Sequence, residues 1–201
     1  MRRIGIFGGS FNPIHIAHLI VADRFVEQLH LDHCYFVPAA YPPLKSLPPR
    51  ELAPAEHRLE MVKRAIADHP AFTVDTCELE RGGTSYTIDT IAVFRSRFPE
   101  AKLFLLIGAD HVLEFHLWHR WEEILQQVRL CIAPRPVRSE EEFRQRLSTL
   151  HDAAPVMLDI PLLAISSSEI RQRLAHGLSV RYLVPEAVRE YIHAQRLYMD
   201  R

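Results

Sequence analysis

The stretch IGIFGGSFNPIHIAH, residues 4–18, decides how the rest of the chain is read. Ile4, Gly5, Ile6 and Phe7 make a short apolar run of the kind found in a buried strand, and Gly8 and Gly9 end it. From Ile16 onward Leu19, Ala22, Val26 and Leu29 recur at helical spacing, while Asp23, Arg24, Glu27 and Gln28 fall off that stripe. The segment therefore reads as a strand over 3–7, a turn, and a helix over 16–29. The two glycines stand at the strand-to-helix corner where open α/β sheets bind ligands, and without Cβ atoms they let backbone N–H groups approach an anion. His15 and His18, three apart, share a face at the first turn of the helix, beside its free N–H groups and the positive end of its dipole.

Taken alone, these histidines fit a phosphate site, a metal site, or two polar residues on an ordinary turn. Phosphate suits the helix N-terminus. Neither the dinucleotide fingerprint G-x-G-x-x-G nor the phosphate-loop pattern G-x-x-x-x-G-K-[ST] is present over residues 5–18. For metal, the helical zinc signature spaces its histidines four apart with a glutamate after the first, whereas Ile16 and Ala17 lie between these two.

Working outward, apolar runs alternate with helical patterns, which predicts βα units around a mostly parallel sheet. Strands are expected at 34–37, 102–107 (KLFLLI), 129–133 and 156–160, with an extended segment at 72–79. Helices are expected at 56–69, 87–98, 121–127, 140–150, 168–175 and 185–195. Residues 38–54 hold Pro38, Pro42, Pro43, Pro48, Pro49 and Pro54 and must be a loop, long enough to suggest a working one.

With 201 residues and 48% apolar content, a single domain over 1–201 is expected. The 24 basic residues nearly balance 25 acidic ones, which argues against nucleic acid or an anionic membrane as partner. Cys34, Cys77 and Cys131 are odd in number, far apart and set in apolar stretches, so they read as reduced core residues. With no secretory apolar region near the start and no run approaching the roughly 18 residues of a span, a cytoplasmic protein is expected.

A second anion site is suggested by ISSSEIRQRL, residues 165–174. Ser166 and Glu169 form a capping box ahead of Ile170 and Leu174, which accounts for both of them. It does not account for the added Ser167, Ser168 and Arg171, whose hydroxyls and guanidinium beside free N–H groups suit phosphate oxygens.

Residues 8–18 together with 165–171 resemble the nucleotidyltransferases that carry an H-x-G-H motif and an I-S-S-T-x-I-R-like motif. More narrowly, GGTSYTIDT (82–90), LIGADHVLEFHLWHRW (106–121), Pro134-Arg135-Pro136 and VPEAVREYIHAQRLY (184–198) resemble the bacterial nicotinate-mononucleotide adenylyltransferases. Ala17 replaces the usual glycine, Asn12 stands where aspartate is frequent, and Ser168 replaces threonine, departures that bear on tightness of binding.

The resemblance implies an α/β, Rossmann-like, doubly wound sheet with helices on both faces and a C-terminal helical segment. It implies attack by the phosphate of nicotinate mononucleotide on the α-phosphorus of ATP. That phosphate has its second pKa near about 6, so the nucleophile is already ionised and no general base is expected. Under the resemblance His15, His18 and Arg171 are the catalytic residues: both histidines act on the ATP phosphates, His18 at the α-phosphoryl transition state, and Arg171 with Ser167 and Ser168 holds the β and γ phosphates. ATP is expected to meet Gly8, Gly9, Ser10, Phe11, Gly108, Asp110, Ile165, Ser167 and Ser168 as well. For Asp110 an N-cap role competes with ligand contact.

The mononucleotide is expected at Lys45, Tyr86, Thr87, Trp118, His119 and Arg135, with backbone donors favouring its carboxylate over an amide. Mg²⁺ is expected to arrive with ATP, held by phosphates and water rather than a protein cage. A homo-oligomer is left open. The rivals are transfer to nicotinamide mononucleotide or phosphopantetheine, cytidylyl transfer, a nucleotide-binding sensor without turnover, and a histidine-metal hydrolase.

Overall fold

The structure is a computed structural model that describes residues 1–42, 52–150 and 153–199. Its elements run β1 (Arg3–Gly9), α1 (Ile16–Leu29), β2 (His33–Pro38), α2 (Ala55–Ile66), β3 (Phe72–Val74), α3 (Cys77–Arg81) and α4 (Thr87–Arg97). They continue with β4 (Lys102–Gly108), α5 (Ala109–Val112), a 3-10 turn (Phe115–Leu117), α6 (Trp121–Gln127), β5 (Arg129–Ala133), α7 (Glu140–Thr149), β6 (Val156–Met157), α8 (Ser167–Ala175) and α9 (Glu186–Ala194). The sheet has the order β3-β2-β1-β4-β5-β6, and every pairing is parallel. The chain thus winds outward from β1 to β3, returns to the centre, and winds the other way through β4 to β6. Its switch point is the crevice beyond the carboxyl ends of β1 and β4, where such sheets bind ligands.

Strand alternation divides the core in two. Ile4 and Ile6 of β1, Leu103, Leu105 and Ile107 of β4, and Leu130 and Ile132 of β5 pack on one face with Ile91 and Phe94 of α4 and Ile124 of α6. Phe36, Phe104, Leu106 and Cys131 project to the other, against Phe25 of α1, Met61 and Val62 of α2, Ile170 of α8 and Val188 of α9. Full burial of a side chain such as Phe25 contributes about 1.5–3 kcal/mol. Gly5 makes that contact possible, since a Cβ there would come within 2.6 Å of the Phe25 ring.

Three expectations need correction. The extended segment at 72–79 stops at Val74, because the Asp75 carboxylate accepts the Cys77 N–H at 3.0 Å and turns the chain into α3. The strand expected over 156–160 is only Val156–Met157, an edge strand whose ladder ends with the Leu158 N–H bonded to Ile132 O at 2.9 Å. Two short helical pieces, α5 and the 3-10 turn, follow β4 where no element was expected. Among the described residues no helix is long and apolar enough to cross a membrane.

Candidate active site

At the end of β1 the chain folds back on itself rather than entering α1 directly. Phe11 takes a left-handed φ of 44° and is buried, its ring against Phe7, Phe36 and His18 at centroid distances of 5.5, 5.7 and 5.3 Å. A left-handed aromatic residue is a strained choice that persists only where its surroundings hold it. Asn12 is buried too, and its Oδ1 accepts both the Ala53 N–H at 3.0 Å and the Tyr198 hydroxyl at 2.7 Å. The Asn12–Pro13 peptide is cis.

His15 occupies the N-cap of α1, and its backbone N–H donates to Nδ1 of His18 at 3.2 Å. The two rings stack at 3.6 Å between centroids. An accepting Nδ1 leaves the proton of a neutral His18 on Nε2, so that nitrogen is a donor. The His18 N–H goes back to His15 O at 3.0 Å, and Nδ1 of His15 is buried without a partner among the described residues. Burial, with the Arg135 guanidinium adding to it, lowers the His15 pKa to about 3, so this imidazole is neutral at physiological pH.

The N-terminus of α8 is fastened to this turn. Ser167 Oγ donates to Pro13 O at 2.9 Å and Arg171 Nη1 donates to Asn12 O at 3.0 Å, joining segments 154 and 159 positions apart. Ser166 caps α8 through the Glu169 N–H at 3.1 Å, and Arg171 Nη2 reaches Ser168 Oγ at 3.4 Å. The glycine-histidine turn and the serine-arginine helix therefore open onto the same corner.

Across the crevice, Gly108 ends β4. A Cβ there would collide with Asp110 Oδ1 at 2.3 Å and with Cδ of Arg135 at 2.8 Å, so glycine is what lets these two side chains meet over the strand end. Arg135 Nη1 lies 3.4 Å from Asp110 Oδ2, while Asp110 Oδ1 is buried without a partner among the described residues. The N-cap of α5 is Gly108, not Asp110, which removes the capping alternative for that carboxylate.

The residues expected at the second substrate lie on a less enclosed side. Ser85 is buried, its Oγ accepting the Ala40 N–H at 2.9 Å, and no side chain caps α4, which starts at Thr87 after Tyr86. Tyr86 is exposed with its ring 4.7 Å from that of His119, and the half-buried Trp118 packs on Phe115 at 5.1 Å. Lys45 lies outside the described residues. Among the described residues no three His, Cys, Asp or Glu side chains converge on a point fit for a metal.

A family model described as cytidylyltransferase-like matches residues 6–173. A Thermus thermophilus protein is 45% identical to this chain over 98% of its length and 99% of the relative's. One from Salinibacter ruber is 43% identical over 97% of each. Both are named "Probable nicotinate-nucleotide adenylyltransferase". The chain belongs to the nicotinate-nucleotide adenylyltransferase family. The fold agrees: Plasmodium falciparum nicotinic acid mononucleotide adenylyltransferase complexed with NaAD superposes with a TM-score of 0.78 over 98% of each chain, at 22% identity.

The sequence does not show the role of several polar residues that hold the β1–α1 turn in place. Asn12 and Tyr198 act together, and nothing local in the sequence pairs positions 186 apart. Arg58 had a signal: with Met61, Val62, Ala65 and Ile66 it occupies the buried stripe of α2, a basic residue where an apolar one belongs. Helical spacing by itself is also met by Leu59, Val62 and Ile66, a stripe that starts one position later and passes over Arg58.

Proposed function

We propose that this chain transfers the adenylyl group of ATP to nicotinate mononucleotide, forming nicotinate adenine dinucleotide and pyrophosphate. The observation that carries the reading is the fastening of α8 to the β1–α1 turn, because it gathers His15, His18, Ser168, Arg171 and two helix N-termini at the switch point of the sheet. Family membership supports the choice of substrates, and the P. falciparum protein has been solved complexed with NaAD and with APC.

In this reading the nucleophile is the mononucleotide phosphate, largely dianionic at neutral pH, and the protein needs to align it and disperse charge. His18, its neutral tautomer set by the His15 N–H, presents Nε2–H to the α-phosphoryl oxygens. His15, neutral because it is buried, adds a polar group that costs no counterion. Ser167 uses its hydroxyl on Pro13 O, so the β and γ phosphates are assigned to the Ser168 hydroxyl, the Arg171 guanidinium and the first-turn N–H groups of α8. Ile165 enters that helix, and Gly8, Gly9, Ser10 and Phe11 line the nucleotide from β1.

Mg²⁺ fits as a companion of ATP. Imidazole and guanidinium groups do not cage it, and Oδ1 of Asp110, without a partner among the described residues, is a hard oxygen at the same crevice. When bound it neutralises phosphate charge. Lys45 and Arg135 are assigned to the mononucleotide phosphate, and Tyr86, Thr87, Trp118 and His119 to the pyridine ring and its carboxylate. The backbone N–H groups at the uncapped start of α4 are donors, which suits a carboxylate better than an amide.

The test is pyrophosphate release with ATP and each of nicotinate mononucleotide, its amide, and phosphopantetheine. The expected result is the highest kcat/KM for the nicotinate form. Equal or greater kcat/KM for either other acceptor rejects the assignment, and ATP binding without release for any acceptor favours a sensor.

A further inference from the structure

Arg58 is among the largest fully buried side chains, at 1% exposure, and its partners among the described residues are backbone carbonyls and no carboxylate. Nε donates to Ala53 O at 3.0 Å, Nη1 to Ser10 O at 2.9 Å and to Ala39 O at 2.7 Å, and Nη2 to Ala40 O at 3.4 Å. A buried charge is costly to desolvate, and an apolar residue on the α2 stripe would complete the core more cheaply. What the guanidinium does that an apolar side chain cannot is fix the orientation of several peptide planes at once.

Those planes belong to both halves of the site. In a trans peptide the C=O of one residue and the N–H of the next point in opposite directions, so holding one aims the other. Bonding Ala39 O to Arg58 aims the Ala40 N–H away from it, and that N–H is the donor to Ser85 Oγ, directly before Tyr86 and Thr87. Bonding Ser10 O fixes the peptide that leads into Phe11, on the turn that carries His15 and His18. The third plane is that of Ala53 and Pro54, whose carbonyl Arg58 holds, and the adjoining peptide donates its Ala53 N–H to Asn12 Oδ1, which ties the segment before α2 to the turn.

We propose that Arg58 is a positioning residue that sets the ATP-side turn and the acceptor-side segment relative to each other, and so sets the in-line alignment of the two substrates without touching either. The inference rests on the adenylyl-transfer reading. Lysine at this position keeps the charge but not the planar fork, and cannot hold carbonyls on three segments in one geometry. Ser85→Ala cuts the same chain of contacts at its far end and leaves the buried guanidinium intact; it also takes the Ser85 hydroxyl from the buried Glu78 carboxylate, which keeps the Thr90 hydroxyl at 2.6 Å.

Single-turnover rate constants at saturating ATP and nicotinate mononucleotide read the alignment, with KM values and melting curves alongside to give activity per folded molecule. Arg58→Lys is expected to slow the single-turnover step roughly 10- to 100-fold with each KM within about threefold of the wild type. Ser85→Ala is expected to slow it about three- to tenfold, and the double variant to be slower than Arg58→Lys by no more than about twofold, since both act through one chain of contacts. Folded Arg58→Lys with a rate within about twofold of wild type, a loss confined to KM, or effects that multiply in the double variant would each overturn the proposal. Should Arg58→Lys be unfolded at the assay temperature, the rate of Ser85→Ala alone decides between the same outcomes. A wild-type protein that releases no pyrophosphate takes down the functional reading and this inference together, whereas an active wild type with a normal Arg58→Lys removes the inference alone.

Discussion

Phe11, Asn12 and His15, on the side of the site proposed for phosphate, are sealed from solvent, whereas Tyr86 and His119, on the side proposed for the acceptor, are exposed. The first group is tied by hydrogen bonds to α8, to the segment before α2 and to the C-terminal Tyr198. The second sits on the start of one helix and on the short α5-to-α6 connection, with Gly82 and Gly83 both in left-handed conformations just before it. Under the proposed function the difference follows from what each side is asked to hold. Donors that stabilise charge in a transition state are effective when they are fixed beforehand and need no reorganisation. A flat ring recognised by stacking gains most from apolar contact and tolerates surroundings that close on it.

The sharpest way to break this comparison is His18→Ala. If the phosphate side works by fixed donors, kcat should fall about 10²- to 10³-fold while the affinity for ATP changes less than about tenfold. Steady-state kinetics with calorimetric ATP binding measure both, and a kcat within a few fold of wild type removes His18 from the transition state. On the acceptor side Trp118→Ala should raise KM for nicotinate mononucleotide about tenfold and leave kcat within about threefold. A large loss of kcat there would mean that the acceptor side is as rigidly committed as the phosphate side.

The smallest effect concerns His15, and its sign can be worked out. Its folded pKa of about 3 lies below the ordinary 6.5, so the unfolded chain takes up a proton that the folded one refuses. The neutral imidazole therefore costs nothing above pH 6.5, and stability is lost as pH falls from there toward 3. Between pH 6.5 and 5.5 this group alone should remove about 1 kcal/mol. Denaturant titrations at the two pH values should show a shallower decline in His15→Asn than in wild type, and parallel declines would mean that the imidazole is not as buried in solution as its 2% exposure implies.

Much of the fold was legible because strand and helix periods are local. The runs over 3–7, 102–107 and 129–133 became β1, β4 and β5, the first two extended by two residues and one where their ends reach the crevice and the third unchanged. Segments governed by a single side-chain contact were not legible: Asp75 ends β3 early, and α5 follows β4 with no apolar repeat long enough to announce it. Arg58 went unread for a related reason, since a charge inside an apolar stripe makes sense only when the carbonyls it serves are known.

By itself the sequence determined the alternation of apolar and polar residues, the glycine-histidine turn and the serine-arginine helix start, all of which depend on neighbours a few positions away. Only the tertiary structure decided that Ser167 and Arg171 bond to Pro13 and Asn12, that Tyr198 closes on Asn12, and that Arg135 reaches the field of His15. The reason is the sheet: its parallel order brings strand ends that are distant in the chain to one edge, and the chemistry collects where they meet.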